Sequence, residues 1–532
     1  MKYISKYYST ILFVFICFEL QAQKHDYNVL SRRTDVGQGM QMFYVDSLSD
    51  VRFKAITLNG LVAASPPISD KDGKLLGYFN GVRMLDSLDR MAINGDSLNM
   101  GNFFKKTFFQ TEEDLTRGTY VGQNCVILPY LNDSTYIMFH MGFEFDVNTP
   151  DFELPAIYDH GFKLNSYSDG LYYSILRARS DHRIEFDFNF KNVKILDDFL
   201  RTGELFSCKH ANGKDWWIIV PSIVSNKAYS ILLTDEGIEI KQPFELSNFN
   251  NSISASAGAI NCSPNGKKLA RILHRMAGKL PDLVEIWDFD RCNGKVGNQY
   301  DYDTLALAEQ YTVTTDIEFS PNNQFLYVAT GQYIFQMDLD DTNFILNRDT
   351  IAAWDGFLYY GNIPMFDNLL TLPNNKIIVN SFVSTPYLHY IHEPNQKGSN
   401  CNFEQRALVM PKDAINIPLA INFESFPTFP PYRMEALDID CTMAVDHIPD
   451  ITLDVYPNPF RSQLFVSGFE TLQGIISIEV FDLFGRLLHV ESQDAYQGFK
   501  LLETALWDPG IYIVSVKSTD GERRVTRKVV KI

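Results

Sequence analysis

The chain has 532 residues, more than a single ordinary hydrophobic core accommodates, so two or more domains are expected. Its formal net charge of −18 argues against nucleic acid or an anionic membrane surface as a partner, because both require a basic surface. The 40 Phe and 27 Tyr predict β-sheet packing, since strands favour aromatic side chains, and stacking against sugars is the second interpretation.

The first residues predict a secretory signal peptide. Lys2 and Lys6 supply the positive start, residues 11–18 form a short apolar run, and Ala22 is the small residue at which cleavage is expected. The run is too short for a membrane helix, which needs about 20 apolar residues. A lipoprotein leader with Cys17 as the modified residue is the alternative, but the residue before it is not Gly, Ala or Ser. No later stretch predicts a transmembrane segment, so we expect the mature protein to be soluble or surface-attached.

A degenerate repeat fills the middle of the chain. Each copy predicts a strand, a turn, a second strand, a short loop and a third strand, with a period of about 50–57 residues. In the clear copies proline opens the turn with a preset φ, and Asn or Gly accepts the left-handed conformation that follows. The clear copies span residues 260–290, 317–340 and 371–392, and weaker copies span residues 66–81, 122–141 and 213–237.

The repeat predicts an all-β fold built around a β-propeller. A meander of three or four strands cannot bury both of its faces alone, whereas meanders arranged around an axis cover one another. Seven blades are expected, with the last closed by the two chain ends through pairing of residues 40–44 beside a strand near residues 417–436. Trp216 and Trp217 point to opposite sides of one strand, so at least one belongs to the core between blades. A β-solenoid or stacked sandwiches are the alternatives.

Seven cysteines occur, and six remain once Cys17 has left with the signal peptide. An even number in an exported chain permits disulfides without requiring them. Their spacing is too wide for a zinc ribbon or a C-x-x-C redox site. Buried free thiols are the other interpretation, and Cys401 with Cys441 is one conceivable pair. The connectivity stays open among Cys125, Cys208, Cys262, Cys292, Cys401 and Cys441.

The C-terminal end predicts a small immunoglobulin-like β-sandwich. Residues 475–481 and 511–517 alternate apolar and polar side chains, as half-buried strands do. Residues 508–510 and 520–521 carry the Pro, Gly and Asp that hairpin turns favour. The module opens at residues 456–460, where two prolines bracket a turn.

Three motifs in this module resemble the type A C-terminal sorting domain of type IX secretion in the phylum Bacteroidetes. They are Y-P-N-P-F at 456–460, V-F-D-L-F-G-R at 480–486 and G-I-Y-I-V at 510–514. The resemblance implies export through the periplasm to the outer-membrane surface or the medium, with the type IX secretion machinery as a partner. The residues that carry the sorting motif are Tyr456, Pro457, Asn458, Pro459, Phe460, Asp482, Gly485, Arg486, Gly510 and Tyr512.

The preceding part of the chain is similar to secreted Bacteroidetes proteins that pair a WD-repeat-like β-propeller with such a domain. The similarity lies in residues 213–221, 286–294, 319–322 and 426–434, which build blades and imply no biochemical activity. The predicted organisation is a signal peptide over 1–22, a β-propeller over 26–440, a linker over 441–452 and a C-terminal sorting domain over 453–532.

Linear motifs for catalysis are absent from the sequence, including H-E-x-x-H, a Walker loop, a dinucleotide-binding turn and G-x-S-x-G. His389 and His392 lie three residues apart on a strand end, so they point to opposite faces and do not suggest a shared metal. Residues 338–341 are acidic but lack the glycine and closing glutamate of a calcium loop. We therefore predict no catalytic residue, no metal site and no cofactor.

Two functions compete at this point. One is a non-catalytic secreted or cell-surface propeller, expected to be a monomer, that binds a protein or a glycan through one rim. The other is an extracellular propeller hydrolase or lyase that acts on polysaccharide or peptide. Binding is favoured because no catalytic pair can be named. Carboxylates with His or Arg at the mouth of the channel would favour the enzyme, and an aromatic-rich rim would favour binding.

Overall fold

The structure is a computed structural model, and it divides into two compact units, Met1–Asp438 and Ile439–Ile532. The signal peptide predicted to end at Ala22 lies outside the described residues, as does Gly485. Within the described residues no helix is long and apolar enough to cross a membrane. The structure describes residues 24–32, 40–45, 51–56, 67–99, 124–142, 144–145, 158–159, 162–163, 166–223, 225, 227–246, 259–273, 283–304, 316–341, 343–344, 347–361, 363–381, 385–409, 426–438, 441, 453–467, 475–482, 486–494, 499–518 and 524–532.

The first unit consists of antiparallel sheets that follow one another along the chain, which we call blades 1 to 7. Blade 1 contains Asn28–Arg32, Met40–Val45 and Val51–Ile56, and blade 2 contains Pro67–Ser69, Leu75–Phe79 and Met84–Asp86. Blade 3 contains Cys125–Tyr130, Asn132–Met141, Leu171–Ala178, Ile184–Phe186 and Val193–Leu196. Two ribbons interrupt blade 3, Glu144–Phe145 with Ser166–Tyr167 and Tyr158–Asp159 with Phe162–Lys163.

The later blades are regular four-stranded meanders, with one additional short strand in blade 4. Blade 4 contains Phe206–Lys209, Trp216–Pro221, Lys227–Thr234, Gly237–Ile240 and Phe244–Glu245. Blade 5 contains Ala259–Cys262, Lys268–Leu273, Leu283–Asp290 and Lys295–Thr304. Blade 6 contains Asp316–Phe319, Phe325–Ala329, Tyr333–Asp338 and Asp349–Ala353. Blade 7 contains Phe366–Thr371, Ile377–Ser381, Tyr387–Ile391 and Phe403–Val409, with a 3-10 turn at Gly398–Cys401.

The turn between the first two strands explains the sequence repeat. In blade 5 the backbone N–H of Gly266 donates to the Ser263 carbonyl at 2.7 Å, and the Lys268 N–H donates to Ser263 Oγ at 3.0 Å. Gly266 has a φ of 69°, and Asn323 in the matching turn of blade 6 has a φ of 67°. Both residues occupy the left-handed region that glycine and asparagine tolerate, as the repeat predicted.

Successive blades pack against each other and close a ring. Blades 2 and 3 share one hydrophobic cluster, and so does each following pair up to blades 6 and 7. Val29 of blade 1 packs with Leu370 and Leu388 of blade 7, and the first strands of blades 1 and 2 lie side by side. Trp216 packs towards blade 3 and Trp217 towards blade 5, so both tryptophans are core residues. The unit is a β-propeller. Its described sheets form seven blades, in addition to the two ribbons of blade 3.

The predicted closure of the ring by residues 40–44 is wrong. Met40–Val45 is the middle strand of blade 1 and pairs with Asn28–Arg32 on one side and Val51–Ile56 on the other. Both of its edges are therefore occupied, and no third strand has room to pair with it. Residues 426–436 contain no strand, and residues 417–425 lie outside the described residues.

Residues 426–438, which we call the closing segment, instead contact several blades in turn. Phe426 packs with the cluster of blades 7 and 1, and the Tyr432 hydroxyl donates to the Ile127 carbonyl of blade 3 at 2.7 Å. Met434 is part of the cluster between blades 4 and 5. The closing segment therefore ties distant blades together without joining any sheet.

The second unit is a sandwich of two antiparallel sheets. Its core includes Leu464, Val480, Val514 and Val529, one or more from each sheet. One sheet contains Asp454–Tyr456, Gln463–Ser467 and Phe499–Glu503. The other contains Leu487–Asp494, Ile475–Asp482, Gly510–Ser518 and Arg524–Lys531.

The cysteines divide into two groups. Cys292 and Cys441 are disulfide-bonded. Cys401 is a free, buried thiol, so it does not pair with Cys441. The free and buried thiols in the described part of the chain are Cys125, Cys208, Cys262 and Cys401.

Candidate functional site

A loop between blades 6 and 7 contains several aromatic side chains, of which Tyr360 is exposed and the others are half-buried. We call residues 354–361 the aromatic loop. Tyr360 is 87% exposed, and its ring centroid is 4.6 Å from that of Tyr359. Tyr387 at the start of a blade 7 strand contacts both Tyr359 and Phe357 edge to face, with centroid distances of 6.0 and 5.5 Å. The rings thus form one continuous surface rather than isolated side chains.

Arg406 of the strand Phe403–Val409 holds this loop in place. Its two Nη atoms lie 3.2 and 2.5 Å from the two carboxylate oxygens of Asp355, a bidentate pair. The guanidinium also lies over the ring of Phe357, 4.7 Å from its centroid. Within the loop, Trp354 Nε1 donates to the Phe357 carbonyl at 2.9 Å. The aromatic loop is therefore anchored to a β-strand and preorganised.

Two non-glycine residues of this region have left-handed backbone conformations. Arg406 has a φ of 56° and Tyr360 a φ of 48°, and the Arg406 N–H donates to His389 Nδ1 at 3.1 Å. Such a conformation costs about 1–3 kcal/mol per residue and persists only where the surroundings enforce it. Strain of this kind concentrates at functional sites, so it marks the aromatic loop as a candidate site.

A second candidate lies along the axis of the propeller, where the first strands of blades 5, 6 and 7 are neighbours. In the blade 6 strand Asp316–Phe319 the side chains alternate, and Asp316 and Glu318 face away from the core between blades. Asp316 Oδ2 accepts the N–H of Leu369 from blade 7 at 2.8 Å. Glu318 Oε2 accepts from Asn261 Nδ2 of blade 5 at 3.3 Å. Two carboxyl groups thus connect the inner strands of three blades.

Burial raises the pKa of both carboxyl groups. It brings the pKa of Asp316 to about 7, against the opposing effect of the Leu369 and Ile317 N–H donors. It brings the pKa of Glu318 to about 8, and the negative charge of Asp316 adds to the rise. Groups that titrate near neutral pH are able to give or take a proton, which is the property of a general acid or base.

A buried ionic network lies between blades 4 and 5. Arg271 contacts Glu285 at 2.5 Å and Glu204 at 3.5 Å, and Glu204 contacts Arg201 at 3.5 Å. The Arg271 guanidinium also stacks over Trp287 at 5.4 Å. All four charged side chains are almost fully buried, and their charges offset one another. We assign this network to the structure of the ring, because each cation lies against a carboxylate inside the protein.

Among the described histidines, His140 belongs to blade 3, whereas His389 and His392 belong to blade 7. His140 is buried, and burial lowers its pKa to about 3. His389 is buried, and burial lowers its pKa to about 4, whereas His392 is partly exposed and lies 2.8 Å from Glu404. His389 and His392 therefore have separate surroundings. Over the described ranges, no group of three or more His, Cys, Asp or Glu residues forms a metal site.

The sorting-motif residues at 456–460 lie along the last strand of the second unit. Asn458 Oδ1 accepts the Val530 N–H at 2.8 Å, and its Nδ2 donates to the Lys528 carbonyl at 3.2 Å. The Phe460 N–H donates to the Val530 carbonyl at 2.9 Å. Tyr456, Pro457, Asn458 and Pro459 are exposed, and Phe460 is buried.

The remaining motif residues extend from this place into the second sheet. The buried ring of Phe460 is 6.2 Å from that of Tyr512, which lies in the strand that begins at Gly510. Asp482 accepts from both the backbone N–H and Nε of Arg486, at 2.9 and 3.1 Å. Phe460 and Tyr512, fifty-two positions apart in the chain, therefore share one patch of core.

The aromatic loop was not predicted from the sequence. The run W-D-G-F-L-Y-Y-G at 354–361 carries the only signal, four aromatic residues between repeat copies, three of them bracketed by two glycines. Aromatic residues are abundant throughout this chain, so the run does not distinguish exposed rings from core. Its significance depends on Arg406 and Tyr387, which come from another blade.

Comparison with known proteins gives a family match for the second unit and similar solved structures for the larger part of the chain. Residues 454–532 match the family described as the secretion system C-terminal sorting domain. Curated protein sequences give no match. The chain is a secreted cargo of type IX secretion, exported to the cell surface or the extracellular space, and its sorting domain implies an interaction with that machinery.

Solved structures similar to the chain include two lactonases. One is a putative 6-phosphogluconolactonase from Bacteroides uniformis, at 10% identity and a TM-score of 0.37, with 74% of this chain and 98% of that chain covered. Another is the periplasmic gluconolactonase PpgL from Pseudomonas aeruginosa, at 10% identity and a TM-score of 0.37, with 76% and 98% covered. Apo AztD from Citrobacter koseri has 12% identity and a TM-score of 0.35, with 74% and 88% covered.

Proposed function

We propose that this exported propeller is a non-catalytic binding protein that holds an extracellular glycan on its aromatic loop. A protein ligand is the alternative occupant. The carrying observation is the contiguous set of rings in which Tyr360 is exposed and Phe357, Tyr359 and Tyr387 are half-buried, in a loop that Arg406 anchors through Asp355 and Phe357. Exposed aromatic rings offer large apolar area with little loss of conformational freedom on binding. The apolar faces of pyranose rings pack well against such surfaces.

Polar groups around the rings supply the directional contacts that a sugar needs. Asp355 and Arg406 lie beside Phe357, and Asp355 is more than a third exposed. Gly356 and Gly361 have open space around them, so a ligand can approach the loop backbone closely. An apolar platform with a few oriented polar groups is the general pattern of small-ligand sites.

For the sorting domain, we propose that the exposed residues Tyr456, Pro457 and Pro459 contact the secretion machinery. Phe460 and Tyr512 act beneath them as packing residues that fix the turn. This division of roles follows from exposure, because only the first group presents side chains to a partner. The wider relation to Bacteroidetes proteins with WD-repeat-like propellers belongs to the same proposal.

The experiment compares Tyr360→Ala with Phe188→Ala in the mature full-length protein. Phe188 is the matched control, since it is also 87% exposed but lies on blade 3. Affinity electrophoresis on soluble xylan, mannan, β-glucan and chitin oligosaccharides measures retardation of each variant. We expect at least a tenfold weaker retardation for Tyr360→Ala on one of these glycans and an unchanged value for Phe188→Ala. Equal retardation of both variants on every glycan would contradict the proposal.

The alternative function, a hydrolase or lyase, is supported by one observation, the pKa values of Asp316 and Glu318 near neutral pH. In that case the carboxyl groups on the axis would exchange protons with a substrate. The same glycans, incubated with the protein and analysed for shortened products, distinguish the two functions. Product formation that Glu318→Gln abolishes would replace the binding proposal by the enzymatic one.

A further inference from the structure

Two free thiols face each other where blades 4 and 5 pack. Cys208 lies in the first strand of blade 4 and Cys262 in the first strand of blade 5. Their Sγ atoms are 3.7 Å apart, and both side chains are buried. They belong to neighbouring sheets, so a bond between them would join two blades across their interface.

The separation is within reach of a covalent bond. A disulfide has an S–S distance of about 2.05 Å, so each sulfur needs to move by roughly 0.8 Å. Rotations about the two Cα–Cβ bonds move the sulfur atoms by distances of this order. Antiparallel pairing fixes both backbones, with Cys208 opposite Trp217 and Cys262 opposite Leu269.

Nothing in the surroundings holds the thiol hydrogens strongly. Cys208 Sγ is 3.7 Å from the Lys209 carbonyl and 3.6 Å from Met434 Sδ, and Cys262 Sγ donates to Cys208 Sγ at 3.7 Å. Thiols are weak donors, so little hydrogen bonding is lost when the hydrogens leave. Apolar side chains pack around the two thiols, including Trp217 and Trp287, and the Arg291 guanidinium lies nearby.

The sorting domain directs this chain through the periplasm, an oxidising compartment in which disulfides form and persist. We propose that Cys208 and Cys262 form a disulfide bond in the exported protein. The two thiols lose two protons and two electrons as the S–S bond forms. A disulfide-bonded thiol oxidoreductase of the periplasm accepts them by thiol–disulfide exchange and becomes a dithiol.

The order of events follows from burial. Burial raises the pKa of Cys262 well above its usual value, and the Arg291 guanidinium opposes this rise only in part. The reactive thiolate is therefore scarce once the blades have packed. The bond forms while blades 4 and 5 are still open to the oxidoreductase, and packing then shields it from external reductants.

The test uses the full chain, including the predicted signal peptide over residues 1–22, exported to the periplasm of a Gram-negative host. Free thiols are labelled with iodoacetamide after denaturation, the protein is reduced, and newly released thiols are labelled with N-ethylmaleimide. Peptide mapping then reports the label at each position. We expect Cys208 and Cys262 to carry N-ethylmaleimide. Iodoacetamide on both, with or without a bound soft metal such as Cu(I), would overturn the proposal.

Controls within the same chain make the result specific. Cys125 and Cys401 are buried free thiols and are expected to carry iodoacetamide in the same sample. In Cys208→Ser, Cys262 is expected to change to iodoacetamide, because its partner is gone. If Cys262 keeps N-ethylmaleimide in that variant, it pairs elsewhere and the assigned bond is wrong.

Discussion

At the scale of single residues, Arg406 connects three features of the candidate binding site. It pairs with Asp355, stacks on Phe357 and donates its backbone N–H to His389. Its left-handed φ places the guanidinium over the loop, where an extended residue would direct it elsewhere. One strained residue thus positions a loop of four aromatic residues. The contacts with Arg406 thereby order the aromatic loop.

The Asp355–Arg406 pair predicts an acid-sensitive loop. The hydrogen bond from Arg406 lowers the pKa of Asp355, so the contribution of the pair is present above the unfolded pKa of about 3.9 and is lost as pH falls through the lower folded value. We expect the fluorescence of Trp354, measured as wild type minus Trp354→Phe, to change in a step below about pH 4. Asp355→Asn should lack this step.

His389 provides an internal comparison for that titration. Burial lowers its pKa to about 4, so the unfolded chain binds a proton that the folded chain does not between about pH 6.5 and 4. Global stability therefore falls as the pH drops through that range in both proteins, and Asp355→Asn also removes a negative charge that raises the pKa of His389. A low-pH fluorescence step of equal size in both proteins would show that the Asp355 pair does not hold the loop.

At the scale of elements, one buried guanidinium joins the closing segment to two blades. Arg291 donates to the carbonyls of Lys209 at 2.9 Å, Asn265 at 3.1 Å and Glu435 at 2.7 Å. These acceptors belong to blade 4, the blade 5 turn and the closing segment. Gly266 leaves the necessary space, because a Cβ there would lie 2.6 Å from the Arg291 side chain. The segment contributes to no sheet, so side-chain contacts attach it to the blades together with the Leu437 N–H, which donates to the Ala211 carbonyl at 2.8 Å.

Replacing Arg291 by Met is expected to lower the free energy of unfolding by about 3 kcal/mol, because several buried carbonyl acceptors lose a charged donor. Urea denaturation of the mature protein measures the change. Arg433→Met is the matched control, since Arg433 is in the same region but makes a partly exposed pair with Asp26 at 2.5 Å. We expect about 1 kcal/mol or less for that variant. Equal losses in the two variants would contradict the role given to Arg291.

At the scale of the whole molecule, the chain combines a propeller with a sorting sandwich, each with its own hydrophobic core. Separate cores mean that the propeller can fold without the residues that direct its export. The residues that direct export and the blades of the propeller therefore belong to different parts of the chain. The domain boundaries at 26–440 and 453–532 stay a prediction, and so does the signal peptide over 1–22.

Deletion of residues 453–532 should leave the propeller folded but retained in the periplasm of its native host. The physical reason is that the deletion removes only the second core, while all seven blades remain. Fractionation with immunodetection measures the distribution, and circular dichroism of the retained protein checks its β structure. Tyr360→Ala, with an intact tail, should be exported normally. Truncated protein outside the cell at the normal level would refute the prediction.

The sequence by itself determined what depends on neighbouring residues. Ser263 and Gly266 lie three positions apart, so one local hydrogen bond defines their turn, and the propeller repeat is visible as a repeated pattern. The ordered motifs of the sorting domain were equally readable. The closure of the ring was predicted wrongly. The pattern of residues 40–44 indicates a strand, but it does not indicate which strands pair with it. Only the tertiary structure decided that question, and only it brought Cys208 to Cys262 and Arg406 to the aromatic loop. Contacts between residues about 50 positions apart depend on how whole blades pack, and a local pattern contains no information about that packing.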